Sequence, residues 1–418
     1  MGRIRDLAEG LWSGSLDPAE KHPFAPLMDV EALDGGGSAF VSSFANATAF
    51  ETAEGLVLVD TGSFLLAQQV QVCVRSFTSA RLHTAVFTHG HVDHCFGVDL
   101  YEAEAGAGRA RVVAHERVPA RFERYRLTAG YNACINARQF RGTGEGAEWP
   151  VNFRAPDVTY ASALDLDVGG ERFELRHAMG ETDDATWVWA PARGVLCTGD
   201  LFIWCSPNAG NPQKVQRYPR EWAQALRTMA ALPAETLCPG HGPPIFGRAR
   251  VQQALSDTAA LLESLVEQTL AVMNAGGRLE EALATVRAPE ALMARPYLRP
   301  IYDEPEFVVR NVWRLYGGWW DGDPSHLKPA RAEHLAREIA SLAGGATKLA
   351  ARAEALAAAG DLPLACHLAE AAWLAAPGDA AIARIRSEVY ARRVRAETSL
   401  IARGIFSAAS KEGWGDPE

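Results

Sequence analysis

Three histidines and an aspartate lie within six positions of the stretch VFTHGHVDHCFG, residues 86–97. Side chains alternate between the two sides of an extended chain, so His89 and His91 are expected to share one side. Asp93 and His94 then turn toward a second point about 3.5 to 4 Å away, the usual spacing of paired metal ions. Imidazole and carboxylate ligands suit Zn²⁺, with iron or manganese as alternatives. The stretch therefore predicts a site for two Zn²⁺ ions.

The same stretch is one of four motifs in which the chain resembles the metallo-β-lactamase superfamily. They occur in order between residues 38 and 248, as LVLVDTG, THGHVDH, CTGDLF and PGHGPP. The resemblance implies an α/β fold, an αββα sandwich with the active site at the edges of its sheets. It also implies that Asp200 bridges the two metals, that His241 completes the second metal site, and that Asp60 supports the site by hydrogen bonding.

The first metal site needs a further ligand, and the sequence offers two candidates. The superfamily usually supplies a histidine from a Gly-His-Thr turn, whereas this chain has MGETDDATW, with Glu181 after Gly180. A glutamate oxygen binds zinc at about 2.0 to 2.2 Å, so Glu181 suits the position chemically. His177 is the competing candidate and is otherwise expected to lie behind the ligands. The complete set of predicted metal ligands is His89, His91, Asp93, His94, Glu181, Asp200 and His241.

The change from histidine to glutamate is similar to what alkylsulfatases of the superfamily have. The segment that begins RPYLRPIYDEPEF and ends AEAAWLAAPGD resembles their dimerisation domain, and LTAGYNACINARQFRG, residues 127–142, is similar to an insert over their active site. The resemblance implies a homodimer and a sulfate-ester substrate. The chain departs from those sulfatases at the bridging position, where they typically carry glutamate and this chain has Asp200.

A sulfate ester would need side chains that hold its anionic oxygens while the alkoxide leaves. Guanidinium groups match such oxygens in both geometry and charge. The candidates lie in the insert and in the segment NPQKVQRYPREW, and they are Asn136, Arg138, Gln139, Lys214 and Arg217. Arg138 is the leading candidate among them.

The predicted function is hydrolysis of a small-molecule ester by a metal-bridging hydroxide, with alkyl sulfates as the leading class. Two dications that share a water lower its pKa toward about 7, and Asp93 and Asp200 are the expected catalytic residues that hold metals and water. The alternatives are hydrolysis of a lactone, carboxylic ester or amide by the same centre, and a mononuclear iron enzyme of the same fold. A metal-stabilised scaffold that binds a partner is a further alternative.

Composition limits the partners and the compartment. The formal charge of −10 argues against nucleic acid as a partner. Seven scattered cysteines without a CxxC pair are typical of reduced thiols. Because the chain has neither an 18-residue apolar stretch nor a signal-like N-terminus, we expect a cytoplasmic protein that does not bind membranes.

The elements that must position these residues form two patterns. From about residue 38 to 250, short runs rich in Val, Phe and Trp alternate with helical segments, as in an α/β domain. Helical spacing of apolar residues dominates beyond that point. With 418 residues, the chain exceeds one usual domain. We expect a catalytic domain over 1–250, linking helices over 251–294 and a helical dimerisation domain over 295–418, with FVVRNVWRLYGGWW at the dimer interface.

Overall fold

The computed structural model describes residues 2–106, 108–140 and 148–412. The chain folds into two compact units, of which the first comprises Met1–Ala129 with Trp149–Gly318 and the second Gly130–Glu148 with Trp319–Glu418. Residues 251–294, predicted as linking helices, therefore lie inside the first unit. Residues 141 and 142 of the predicted insert lie outside the described residues.

Two β-sheets form the centre of the first unit. The first sheet has seven strands in sequence order: β1 (Asp29–Ala32), β2 (Ser38–Ser42), β3 (Ala47–Thr52), β4 (Gly55–Val59), β5 (Leu82–Val86), β6 (Arg111–His115) and β7 (Val158–Tyr160). The second sheet has six strands, again in sequence order: β8 (Ala163–Val168), β9 (Glu171–Ala178), β10 (Ala185–Ala190), β11 (Val195–Ile203), β12 (Thr236–His241) and β13 (Ile245–Phe246). Strands β4 to β7 pair in parallel, as do β11 and β12, and the other neighbours are antiparallel.

Helices surround these sheets and form the second unit. The first ten in chain order are α1 (Arg3–Ser13), α2 (Ala67–Phe77), α3 (Val98–Ala105), α4 (Val118–Leu127), α5 (Ala129–Phe140), α6 (Pro219–Ala230), α7 (Arg248–Asn274), α8 (Leu279–Thr285), α9 (Glu290–Met293) and α10 (Pro305–Gly317). Short 3₁₀ helices occupy Pro191–Arg193 and Pro296–Leu298. The remaining helices are α11 (Pro324–Leu327), α12 (Ala332–Leu342), α13 (Ala346–Ala358), α14 (Leu362–Ala375), α15 (Ala380–Ala396) and α16 (Leu400–Lys411).

Side chains alternate between the two faces of each strand, and this alternation produces the layers of the first unit. In β4, Val57 joins the core between the two sheets, whereas Leu58 joins the core between the first sheet and helices α2, α3 and α4. Phe50 and Phe173 meet edge to face between the sheets, with ring centroids 5.2 Å apart. A third core packs the second sheet against α1, α6, α7 and α10. The predicted αββα sandwich, followed by a helical C-terminal region, is therefore confirmed.

Small residues allow close helix packing in the second unit. Ala353, Ala365 and Ala369 are buried between α13 and α14. A Cβ at Gly404 would overlap the backbone of Gln139, so glycine lets α16 lie directly against α5. None of the helices in the described ranges has an apolar stretch long enough to span a bilayer.

The apolar stretch that we expected at a dimer interface lies elsewhere. Val308, Val309 and Val312 of α10 are buried in the core of the first unit, where they pack with α7. Helical spacing shows that α10 has an apolar face but does not identify its partner, and this partner is the chain itself. Trp319, in the second unit, is in contrast 70% exposed.

Candidate metal centre

The predicted metal ligands come from strand ends in both sheets. One loop after β5 carries His89, His91, Asp93 and His94, while the second sheet supplies Glu181 after β9, Asp200 within β11 and His241 at the end of β12. Hydrogen bonds join the two sheets here. The amide of Thr186 donates to the carbonyl of Thr88 at 2.7 Å, and Asn46 Nδ2 donates to the carbonyl of Gly242 at 2.8 Å.

A first group of side chains brings four donors together. His89, His91, Glu181 and Asp200 each direct one ligand atom to a common point, with these atoms all within 4.8 Å of one another. Glu181 Oε2 lies 3.7 Å from His89 Nε2 and 3.4 Å from His91 Nδ1. The two imidazole nitrogens approach each other to 2.8 Å. Two nitrogens and two carboxylates converge at one buried point.

A second group lies beside the first and is formed by Asp93, His94 and His241. Asp93 Oδ2 is 3.8 Å from His94 Nε2 and 3.5 Å from His241 Nε2. Asp200 reaches both groups, since its Oδ2 lies 3.8 Å from His89 Nε2 and 3.4 Å from His241 Nε2. Its Oδ1 lies 3.4 Å from His94 Nε2. Asp200 is thus the carboxylate between the two groups.

Unsatisfied polar atoms test whether cations fit this arrangement. His94 Nε2, Glu181 Oε2 and Asp200 Oδ1 are buried and have no hydrogen-bond partner among the described residues. A buried polar atom left without a partner costs about 1 to 3 kcal/mol, so three in one place require an explanation. Convergent imidazole and carboxylate donors are a normal ligand set for divalent ions such as zinc. The residues present fit such ions.

Burial lowers the pKa of two histidines of the site, whereas neighbouring carboxylates raise the pKa of a third. Burial lowers the pKa of His89 to about 4 and that of His91 well below its usual value. Burial also acts against protonation of His94, but Asp60, Asp200 and Asp93 outweigh it and raise the pKa of His94 well above the usual value. A neutral imidazole is the form that binds metal. The two imidazoles of the first group are therefore in the form that binds a cation, whereas burial raises the pKa of Glu181 to about 8, so a cation in either group would displace a proton.

Asp60 lies directly behind the second group. Its Oδ2 accepts from His94 Nδ1 at 2.7 Å and from Thr88 Oγ1 at 2.8 Å, and its Oδ1 accepts from the Thr88 amide at 2.8 Å. These bonds turn Nε2 of His94 toward the cluster. Asp60 has φ of 57°, a left-handed conformation that few residues other than glycine, asparagine and aspartate adopt.

Glycines let the strand carrying Asp200 lie close to its neighbours. A Cβ at Gly199, which has φ of 50°, would lie 2.6 Å from the side chain of Thr88. A Cβ at Gly240 would overlap Oδ1 of Asp200. The backbone around Asp200 thus leaves no room for side chains at these two positions.

The two candidates for the last ligand lie in different places. Glu181 belongs to the first group, whereas His177 Nε2 lies 3.0 Å from the carbonyl oxygen of Asp183. The ring of His177 stacks on His115 at a centroid distance of 3.8 Å. The geometry favours Glu181, and its assignment as a ligand remains a proposal.

Two side chains hold Glu181 in place, and the sequence pointed to neither in this role. Asn208 Nδ2 donates to Glu181 Oε1 at 2.5 Å. Arg217 donates to the backbone carbonyl of Glu181, and its Nη2 lies 3.2 Å from Oε1. Arg217 was predicted to bind substrate, but it is buried with only 1% of its surface exposed. These contacts place Arg217 against Glu181, and its predicted substrate contact stays a prediction.

A buried ion pair supports the histidine loop from behind. Arg121 Nε donates to Asp184 Oδ2 at 2.7 Å, and the amide of Gly90 donates to the same oxygen at 3.2 Å. Gly90 stands between His89 and His91, so the pair fixes the backbone that carries both histidines. Burial opposes ionisation of Asp184, but Arg121 outweighs it and lowers the pKa of Asp184 to about 2. The paired aspartates of ETDDATW were the only sequence signal for this contact.

We expect replacement of Asp184 by alanine to destabilise the protein by about 3 to 5 kcal/mol, because Arg121 loses its buried partner. Urea unfolding followed by circular dichroism measures this loss. The folded-state pKa of Asp184 lies below the ordinary value, so the stabilisation is present above about pH 4 and disappears as the pH falls toward 2. Asp183→Ala is the control, since the Asp183 side chain is 35% exposed, and an equal loss in both variants would contradict the prediction.

The predicted substrate-binding residues are divided between the units. Lys214 lies with Arg217 in the first unit, whereas Asn136, Arg138 and Gln139 lie on α5 in the second. Burial, with the charge of Arg217 adding to it, lowers the pKa of Lys214 to about 8. A substrate contact for any of these side chains remains a proposal.

Comparison with known families matches two parts of the chain. Residues 42–241 match the metallo-β-lactamase superfamily, and residues 278–414 match the alkyl sulfatase dimerisation family. The two matched regions follow each other in the same order as the sandwich and the helical region of the structure.

Similar proteins include bacterial alkylsulfatases. A linear primary-alkylsulfatase from a Pseudomonas species is 28% identical over 74% of this chain and 62% of its own length. An (R)-specific secondary-alkylsulfatase from Pseudomonas is 25% identical over 78% of this chain and 53% of its own length. The chain thus spans less than two thirds of these relatives. The structure of an inverting sec-alkylsulfatase from Pseudomonas superposes with a TM-score of 0.84, at 22% identity, over 93% of this chain and 66% of that one, which shows a shared fold.

Proposed function

Because this chain belongs to the metallo-β-lactamase superfamily, in its alkylsulfatase-like subgroup, we propose that it hydrolyses a sulfate ester at a dinuclear zinc centre. The observation that carries the proposal is the pair of adjoining donor groups with Asp200 between them. Similarity to curated alkylsulfatases supports alkyl sulfates as the leading substrate class.

Two bound dications would lower the pKa of a bridging water toward neutrality and polarise an ester oxygen. The residues of this chain would position the metals and the water. Asp200 and Asp93 would hold the metals, and Asp60 keeps His94 in one orientation. Asn208 and Arg217 fix Glu181. We propose that cationic and amide side chains bind the anionic ester group. These are Lys214 of the first unit and Arg138, Asn136 and Gln139 of the insert.

Turnover by the zinc-loaded protein tests this function. The substrates to compare are alkyl sulfates, aryl sulfates, phosphodiesters, lactones and carboxylic esters, and we expect alkyl sulfates to have the highest kcat/KM. Metal content, measured by mass spectrometry on the same sample, should be two zinc ions per chain. Hydrolysis of lactones or carboxylic esters without any sulfatase activity would overturn the proposal that sulfate esters are the substrates. A single iron per chain would contradict the dinuclear zinc centre.

Homodimerisation through the second unit is part of the proposal. Residues 278–414 match a dimerisation family, and several large apolar side chains of this unit are exposed, namely Trp319, Leu327, Leu335, Leu342 and Leu364. Exposed apolar side chains that cluster on a surface usually mark an interface. We also propose a cytoplasmic location, because all seven cysteines are free thiols, as expected in a reducing compartment.

We expect light scattering at micromolar concentration to give twice the chain mass. Leu342 is 88% exposed, so Leu342→Glu should cost the monomer little while weakening an interface that covers this residue. The control is Leu127→Glu, which adds the same charge at an exposed leucine of the first unit. A wild-type protein that stays monomeric at this concentration would exclude the homodimer.

A further inference from the structure

A cavity of about 430 Å³ in the first unit lies between α4 and residues 215–218. Its walls carry three cationic side chains, Arg117, Arg121 and Arg124, and one carboxylate, that of Asp183. Tyr218 also lines it. The charged groups that line the cavity therefore sum to a net formal charge of +2.

The three arginines concentrate positive charge on one side of the cavity. They stand at intervals of four and three residues, so they share one face of α4 and repel one another. Arg117 is also the N-cap of this helix, where the helix dipole disfavours a cation. Asp183 and Asp184 offset part of this repulsion, and an anion in the cavity would offset more of it by attracting all three guanidinium groups.

The available partners leave part of this charge uncompensated. Arg121 is almost fully buried and uses Nε on Asp184 and Nη2 on Asp183, but its Nη1 has no hydrogen-bond partner among the described residues. Arg124 lies over the ring of Tyr125, 4.8 Å from its centroid, and no carboxylate in the described ranges pairs with it. Burial lowers the pKa of Arg124, and the charges of Arg121 and Arg217 add to this effect.

The cavity lies next to residues that support the candidate metal centre. Arg121 binds Asp184, which holds the amide of Gly90 between two predicted ligands. The segment 215–218 contains Arg217, which holds Glu181. The ring of Tyr125 on α4 lies 6.4 Å from that of His91. A group bound in the cavity would therefore contact Arg121, a side chain that supports the predicted metal-binding loop.

We propose that this cavity is a binding subsite for a small oxyanion, a sulfate or carboxylate group, held by Arg117, Arg121 and Arg124. Guanidinium groups bind both kinds of anion through paired, charge-assisted hydrogen bonds. The functional role of this subsite rests on the proposed sulfatase activity. The oxyanion is then either the released sulfate or a second acidic group on the organic part of the ester, which makes doubly anionic sulfate esters the preferred substrates.

Binding of inorganic sulfate to the zinc-loaded protein tests the subsite. We expect Arg124→Gln to weaken sulfate binding at least about tenfold in calorimetry, the loss typical of one charge-assisted hydrogen bond. The matched control is Arg126→Gln on the same helix, whose side chain pairs with Glu123 and does not line the cavity. Anomalous diffraction from crystals soaked in selenate separates this subsite from binding at the metals. Selenate absent from the cavity, or unchanged affinity in Arg124→Gln, would overturn the proposal.

Kinetics distinguish the two sources of the oxyanion. A medium-chain alkyl sulfate is compared with its ω-carboxylated counterpart in the wild type and in both variants. If Arg124→Gln raises KM about tenfold for the carboxylated ester alone, the acidic group of the substrate occupies the subsite. If Arg124→Gln instead relieves product inhibition by sulfate for both esters, the released sulfate occupies the subsite. Failure to hydrolyse either ester would defeat the proposed function, while sulfate binding would still decide the subsite.

Discussion

Replacement of Asp200 by alanine should lower the metal content to one ion or none per chain and reduce turnover at least about 100-fold. The reason is its position, because Asp200 alone has oxygens within 4 Å of predicted ligands in both donor groups. Removing it disturbs both groups together. The ligand set that positions the nucleophile is then incomplete, and a misplacement of about 1 Å alone can cost about 100-fold in rate.

The control for Asp200 is Asp60→Asn, because asparagine tolerates the left-handed backbone at that position and keeps one acceptor. Asp60 contacts His94 and Thr88 but no other predicted ligand. A side chain behind the ligands typically contributes 10- to 100-fold to metal affinity or activity, which makes about tenfold the expected loss for this conservative change. Metal content and kcat are compared in the two variants. Two tightly bound ions and near-normal turnover in Asp200→Ala would exclude a bridging role.

Replacement of Glu181 by glutamine should weaken metal binding in the first group by more than about 100-fold, exceeding the effect of residues behind the ligands. A neutral amide oxygen is a poor zinc ligand, and the first group would keep only His89, His91 and the shared Asp200. Arg217 would also lose its buried carboxylate partner. Competition with a chromophoric chelator measures the affinity, and circular dichroism on the same sample shows whether the variant is folded.

His177→Gln is the matched control for this experiment. His177 hydrogen bonds to the carbonyl of Asp183 and stacks on His115, so the change should leave metal affinity within a few-fold of the wild type. If instead the histidine variant loses an ion and the Glu181 variant keeps both, the two assignments must be exchanged.

How much of the site could be predicted depended on how its residues are spaced in sequence. His89, His91, Asp93 and His94 were predictable from the residues themselves, because one short loop carries them. Asp200 and His241 required the family resemblance, since each is a single acidic or histidine residue in its own strand.

Contacts that exist only after the sheets and helices have packed were not predictable. Arg121 and Asp184 lie far apart in sequence, and each resembles an ordinary surface charge until the fold buries both. Arg217 was selected as a substrate-binding candidate for its charge, whereas its contact with Glu181 arises only once the fold buries it. The valines of α10 were recognised as an apolar face, whereas the surface that they cover depends on long-range packing.

The distribution of the ligands over both sheets has a consequence for folding. The histidine loop follows the first sheet and Asp200 and His241 belong to the second, so the donor groups exist only after the sheets have docked. Cations that bind only this docked state add their binding free energy to folding, about 4 kcal/mol at a free concentration 1,000 times Kd. The described part of the second unit holds no such donor group and gains nothing directly. A cell short of the bound metal would therefore contain a protein whose sandwich opens more readily and is more easily proteolysed, rather than only an inactive enzyme of unchanged stability.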